Sequence, residues 1–96
     1  SSSEYPLDDK DINISTAKLS GRYPEKGYCV NEQCKELIYV VSGSGTLNKK
    51  DEVIKFKKGD AILIDKGEKY YWESSYCKVA LVCTPAFSVG QYKIVE

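Results

Sequence analysis

Turn residues recur at short intervals along this chain, and their spacing limits the possible folds more than any other feature. Turn-forming stretches occupy 42–45, 49–52, 58–60 and 65–67, with short runs rich in β-branched and aromatic residues between them. No window carries apolar residues at the sustained three-and-four spacing of an amphipathic helix. Turns repeated at this interval predict an all-β sandwich or barrel.

The runs between the turns define the expected strands. The run at 36–41 is mostly apolar, which is typical of a strand buried on both faces. The strands are expected to be interrupted at 42–45 and at 74–75. Gly67 is free to adopt a positive φ in its turn, and Pro85 should end the strand before it. The expected strands are 12–14, 36–41, 46–48, 53–56, 61–64, 69–73, 77–83 and 92–95. Of these, 46–48 and 53–56 are expected to be the two arms of a hairpin.

Length and charge narrow the class of protein. The chain has 96 residues, which suits one domain. We expect a flexible N-terminal segment at 1–10 and a single folded domain at 11–96. Equal numbers of basic and acidic residues, 14 of each, argue against a nucleic-acid partner. Apolar runs are too short to span a bilayer, and no signal peptide is visible, so no membrane partner and a cytoplasmic location are expected.

The four cysteines are expected to be free thiols. An even count permits disulfides, but the apolar content is sufficient for a core, and the expected compartment is reducing. A zinc site made of all four is disfavoured, because their spacings are wider than those of most closed zinc sites. The residues are Cys29, Cys34, Cys77 and Cys83.

The chain contains no histidine. A Ser-His-Asp or Cys-His catalytic apparatus therefore cannot be built from it. A facial triad of two histidines and one carboxylate is excluded for the same reason. Any acid–base chemistry must use Asp, Glu, Lys, Tyr or Cys side chains.

One acidic residue and three glycines follow a recognisable spacing. Gly43 lies seven residues after Glu36, Gly67 lies eight after Gly59, and fifteen residues separate Gly43 from Gly59. With this spacing, about residues 21–85 resemble the cupin superfamily. The resemblance implies a double-stranded β-helix, a jelly-roll-like barrel of two antiparallel sheets. It also implies a homodimer, since pairing would protect exposed strand edges.

The resemblance also shows where the chain departs from its family. Metal-bearing cupins use three histidines and a glutamate, and the corresponding positions here hold Cys29, Asn31, Tyr70 and Glu36. We therefore expect no cofactor and no conventional metal, because thiolate favours softer ions than amide and carboxylate oxygens do. If a metal did bind, these four residues would hold it.

Three aromatic residues in succession, 70–72, give the expected site a geometry. Strand alternation sends Tyr70 and Trp72 to the same face and Tyr71 to the other. If Tyr70 points into the barrel, Trp72 does so too. The two side chains then present flat apolar area with an O–H and an N–H, which suits a small organic ligand. The alternative is that they simply fill the barrel interior.

Three functional hypotheses follow. The first is a small-molecule-binding cupin whose ligand contacts are Cys29, Asn31, Glu36, Tyr70 and Trp72. The second is a metal-independent isomerase, epimerase or lyase in which Glu36, its pKa raised by burial, is the base and Tyr70 the acid. The third is an atypical metal-binding cupin through Cys29 and Glu36. The alternative to these hypotheses is that Glu36 has only a structural role and is bonded to Tyr70 or to backbone N–H groups.

Overall fold

Eight strands and one short 3-10 turn make up the fold in the computed structural model, which describes residues 1–96. No helix in it is long and apolar enough to cross a membrane. The strands are β1 Ser2–Glu4, β2 Asn13–Tyr23, β3 Tyr28–Asn31, β4 Lys35–Lys49, β5 Val53–Lys57, β6 Ala61–Ile64, β7 Lys69–Thr84 and β8 Tyr92–Val95, and the turn is Val89–Gln91.

The two longest strands, β4 and β7, pair antiparallel along nearly their whole length and connect two sheets. The first half of β4 and the second half of β7 pair with each other in one sheet. The strand order in that sheet is β6, β4, β7, β2 and β1. The remaining halves lie in the facing sheet with β5, β3 and β8. This arrangement confirms the predicted all-β barrel of two antiparallel sheets.

Gly43 bends β4 where the sequence predicted that the strand would end. The strand runs without a break through 42–45, with register shifts against β7 between Val40 and Ser42 and again between Ser44 and Thr46. Gly43 has a φ of 82°, and a Cβ there would collide with the backbone of Tyr76. β7 likewise continues through 74–75. The two expected breaks are therefore bends that carry one strand from sheet to sheet.

The expectation that 36–41 is buried on both faces is wrong. Ile38 and Val40 are fully buried in the core, but Leu37 is 50% and Tyr39 52% exposed. The barrel has only two layers, so the outer face of each sheet has no further layer of this chain to cover it. The apolar residues on that side therefore remain at the surface.

Apolar side chains, all exposed except the half-buried Val82, lie side by side across four strands of the first sheet. Ile14 neighbours Val82, Val82 neighbours Leu37, and Leu37 neighbours Leu63. Tyr39 lies in the next row on the same side. These five residues are called the outer apolar face below.

The N-terminal segment contributes a strand to the first sheet. Ser2–Glu4 pair antiparallel with β2, with Ser2 opposite Ala17, and the ammonium of Ser1 donates to the Lys18 carbonyl at 3.1 Å. Residues 2–4 of the segment 1–10 therefore form an edge strand of this sheet.

Other local predictions agree with the structure. The hairpin around 49–52 forms with Asn48 opposite Val53, β7 ends directly before Pro85, and Gly67 has a φ of 80°. All four cysteines are free and buried.

Candidate functional site

A cavity of about 170 Å³ lies inside the barrel between the two sheets. Glu36, Tyr70, Trp72 and Cys83, all buried, line its inner part. Glu4, on the short edge strand β1, is among the exposed residues that line it. The remaining lining comes mainly from one face of β2, from the second half of β7 and from the aromatic residues Tyr23, Phe87 and Tyr92.

Strand alternation places the aromatic run as predicted. Tyr70 and Trp72 are 3% and 4% exposed and share the inner face of β7, where their rings meet at 86° with centroids 6.4 Å apart. Tyr71 points to the other face, where it makes an edge contact with Tyr28 and lies 3.9 Å from the guanidinium carbon of Arg22. The first two rings therefore belong to the cavity and the third to the surface.

A buried hydrogen-bond chain crosses the inner end of the cavity. Gln91 Nε2 donates to Asn31 Oδ1 at 2.9 Å, and Asn31 Nδ2 donates to the Tyr70 hydroxyl at 3.3 Å. That hydroxyl donates to Glu36 Oε1 at 3.3 Å, and the Cys83 thiol donates to Glu36 Oε2 at 3.6 Å. Tyr70 thus connects the amide of Asn31 to the carboxylate of Glu36.

Burial controls the protonation of this chain. Desolvation raises the pKa of Glu36, and the hydrogen bonds from Cys83, Tyr70 and Asn31 offset the rise only in part. Burial, and then the charge of Glu36, raise the pKa of Tyr70. Glu36 is therefore a stronger base than an exposed carboxylate, whereas Tyr70 is a weaker acid than an exposed tyrosine.

Two of the predicted ligand contacts lie outside the cavity lining. The Cys29 thiol is 2.9 Å from the Tyr92 hydroxyl, and Asn31 is bonded to Tyr70 and Gln91. Neither Cys29 nor Asn31 lines the cavity, but each contacts a residue that does. Glu36, Tyr70 and Trp72 line it directly.

The four residues at the metal positions do not fit a metal. Asn31 uses its oxygen to accept from Gln91 and directs its nitrogen at Tyr70, and an amide N–H is a donor rather than a metal ligand. Cys29 contacts the Tyr92 hydroxyl, and burial raises the pKa values of both Cys29 and Tyr70, so each holds its proton. Glu36 is then the only anionic ligand among the four residues. No group of three or more cysteine, aspartate or glutamate side chains is placed to hold a metal ion.

Sequence reasoning missed the aromatic residues Tyr23, Phe87 and Tyr92. The Tyr92 hydroxyl lies 3.1 Å from that of Tyr23, and its ring packs at 5.9 Å from that of Phe87. The alternation of the last strand could have suggested an inward Tyr92. Phe87 follows no periodic pattern, so only the folded chain shows that it lines the cavity.

The alternating residues Ser15, Ala17 and Leu19 of β2 were also missed, although they line the cavity at the two-residue spacing of a strand face. Only the short run 12–14 of that strand was recognised from the sequence. Its remaining residues mix polar and small side chains, which weakens the apolar signal of a strand.

Comparisons with known proteins agree with this architecture. The family described as Cupin domain matches residues 25–83. No curated protein matches the chain. A Streptomyces PAC13 variant solved with uridine is 19% identical with a TM-score of 0.88, and the match covers 99% of this chain and 77% of that one.

Two further solved structures share the fold. Pac13, described as a unique nucleoside dehydratase, is 20% identical with a TM-score of 0.86, covering 99% of this chain and 77% of that one. A cupin-2 domain containing protein from Shewanella frigidimarina is 18% identical with a TM-score of 0.72, covering 85% of this chain and 78% of that one. Likeness at these identities establishes the barrel and leaves the chemistry to the site residues.

Proposed function

Since the chain belongs to the cupin domain family, we propose that its barrel is a binding site for a small organic molecule. The observation that carries the proposal is the cavity of about 170 Å³, lined by a buried carboxylate and two buried aromatic rings. An apolar protein cavity of roughly 150 Å³ is large enough for benzene. The size therefore suits a compact ligand of one ring or one branched head group.

The inner residues have separate roles in this proposal. Glu36 is the hydrogen-bond acceptor, because a carboxylate keeps free lone pairs after accepting from Tyr70 and Cys83. Trp72 supplies flat apolar area. Asn31 and Cys29 act indirectly, since they hold the cavity residues Tyr70 and Tyr92.

Ligand binding in this proposal is independent of metal. Of the four residues predicted at the family's metal positions, Asn31 is bonded to Tyr70 and Gln91, and Tyr70 donates to Glu36. A polar ligand would therefore be recognised by hydrogen bonding and ring contact alone. The third hypothesis, a metal held by Cys29 and Glu36, is not favoured, because the Cys29 thiol contacts the Tyr92 hydroxyl and the two residues are not part of any larger group of potential metal ligands.

A metal-independent lyase or isomerase is the second candidate. It is favoured by the raised pKa of Glu36, which makes a buried base beside the cavity. It is disfavoured by Tyr70, whose hydroxyl bonds directly to Glu36 instead of facing it across a ligand-sized gap, and whose raised pKa makes it a poor acid. Loss of turnover with retained binding in Glu36→Gln would separate enzyme from binding protein.

We also propose that the chain forms a homodimer through the outer apolar face. The two rows of cross-strand neighbours that contain Leu37 and Tyr39 have no charged side chain on any of the four strands. Leu37 and Leu63 are each at least half exposed. A two-fold interface buries the same patch on both copies, so an uncharged apolar patch is complementary to itself.

The four free, buried thiols support the expected reducing, cytoplasmic compartment.

Native mass spectrometry of freshly purified protein tests the binding proposal. We expect an organic adduct on the wild type that is lost in Glu36→Gln. Glu73→Gln is the matched control, because Glu73 is exposed on β7, the strand of Tyr70 and Trp72, and lies outside the cavity lining. An adduct retained equally by both variants would place the ligand elsewhere on the protein.

A further inference from the structure

We propose that the ligand of this cavity is a small organic cation, an amine or a quaternary ammonium, an inference that rests on the binding site proposed above. Two features of the lining carry it. Five of its 15 residues are aromatic, and its charged residues are two carboxylates with no lysine or arginine. The aromatic residues are Tyr23, Tyr70, Trp72, Phe87 and Tyr92.

The two carboxylates give the cavity a single sign of charge. Glu36 lies at the inner end and is 7% exposed, and Glu4 is exposed on the edge strand β1. A bound anion would lose its hydration without gaining a positive partner, which is costly. A cation would meet a carboxylate both at the inner end and at Glu4.

Neighbouring aromatic rings of the lining are inclined to one another and are not stacked in parallel. Tyr70 and Trp72 meet at 86°, and Phe87 and Tyr92 at 54°. Tyr23 is held to Tyr92 by the contact of their hydroxyls at 3.1 Å. A cation over the face of such rings is attracted by their quadrupoles, most strongly by tryptophan, and the attraction grows when water is excluded.

The size of the cavity limits the cation to a compact head group. The cavity has a volume of about 170 Å³ and is lined at its outer side by exposed residues, so only a small group fits inside it. A trimethylammonium group is of this scale, and the rest of a longer molecule would extend past Glu4 and Tyr23, which are both exposed. Charge, ring arrangement and volume therefore agree on one class of ligand.

Fluorescence of Trp72 provides the test, because Trp72 is the only tryptophan and lines the cavity. Three probes of the same shape are titrated: choline, the uncharged alcohol in which carbon replaces its nitrogen, and the carboxylate of that carbon skeleton. We expect choline to bind about tenfold or more tightly than the uncharged alcohol, with the carboxylate weakest. In Glu36→Gln the preference for choline should fall, whereas Glu73→Gln should keep it.

The outcomes separate this inference from the binding proposal. Equal or tighter binding of the alcohol or the carboxylate would overturn the cation assignment and leave the cavity as a binding site. Failure of all three probes to change the emission would also overturn the cation assignment. The adduct measurement on the wild type and Glu36→Gln judges the binding site independently.

Discussion

The hydroxyl of Tyr70 lies 3.3 Å from Glu36 Oε1 and donates a hydrogen bond to it inside the barrel. The sequence spacing predicts Tyr70 at a position where metal-bearing cupins carry a histidine, and Glu36 at the position of their acidic residue. In the structure the two side chains are bonded to each other, and Asn31 is bonded to the same hydroxyl. Hydrogen bonds thus connect Asn31, Tyr70 and Glu36 directly.

Replacing Tyr70 by phenylalanine should destabilise the protein. The change removes the group that accepts from Asn31 and donates to Glu36, and it leaves both with an unmade bond in a buried site. We expect a loss of about 1–3 kcal/mol in the free energy of unfolding, measured by urea denaturation. Tyr71→Phe is the matched control, since Tyr71 lies on the outer face of the same strand. Equal losses in both variants would contradict the structural role of the Tyr70 hydroxyl.

The stability of the protein should depend on pH through Glu36. Its pKa is raised above the ordinary value of 4.5 by burial, so the folded state binds this proton more tightly than the unfolded state does. The contribution of Glu36 to the free energy of unfolding is therefore largest below pH 4.5 and falls as the pH rises toward the folded pKa.

The measurement is the difference in the free energy of unfolding between wild type and Glu36→Gln across this pH range. The opposite contribution of Glu68, whose pKa is lowered mainly by a backbone hydrogen bond at Asp65, is present in both proteins and cancels. We expect the wild type to lose stability relative to the variant as the pH rises. A difference that stays constant, or that changes in the wild type's favour, would contradict a Glu36 pKa raised by burial.

Gly43→Ala should be more harmful than Gly59→Ala. Both glycines have a positive φ, of 82° and 92°, so each substitution carries backbone strain of about 1–2 kcal/mol. At Gly59 the added Cβ meets open space, whereas at Gly43 it collides with the backbone of Tyr76. Thermal unfolding of the two variants should therefore show a larger fall in Tm for Gly43→Ala. Equal Tm values would mean that the bend in β4 accommodates a side chain.

Leu37→Lys should convert the proposed homodimer to a monomer, because it puts a charge at the centre of the outer apolar face. Size-exclusion chromatography with light-scattering detection measures the molar mass. Val53→Lys is the control, since Val53 is 61% exposed but lies on β5 in the other sheet. A wild-type mass of one chain, 10.8 kDa, would contradict the dimer.

Much of this fold could be predicted from the sequence, because its signals are local. The spacing of Glu36, Gly43, Gly59 and Gly67 identifies the barrel family, and strand alternation then assigns Tyr70 and Trp72 to one face. Whether Gly43 ends a strand or bends it depends on where β7 runs. That contact with a distant strand has no trace in the local sequence.

The site was predicted less completely, because a residue's direction inside a barrel depends on several partners. Asn31 was expected to contact ligand, but its hydrogen bonds to Tyr70 and Gln91 direct it into the wall. Phe87 and Tyr92 lie beyond the stretch that follows the family spacing, so that spacing did not locate them. The cationic preference proposed for the cavity depends on such residues, together with Glu4 on the edge strand.

The central claim is that the cavity beside Glu36, Tyr70 and Trp72 binds a small molecule. A nitrogen–hydrogen NMR correlation spectrum tests it most directly, because one tryptophan gives one indole cross-peak, and Trp72 lines the cavity. In a screen of small fragments, we predict that binding compounds shift this cross-peak saturably and that Glu36→Gln weakens them while Glu73→Gln does not. Fragments that bind the protein yet leave the indole signal unmoved would contradict the claim.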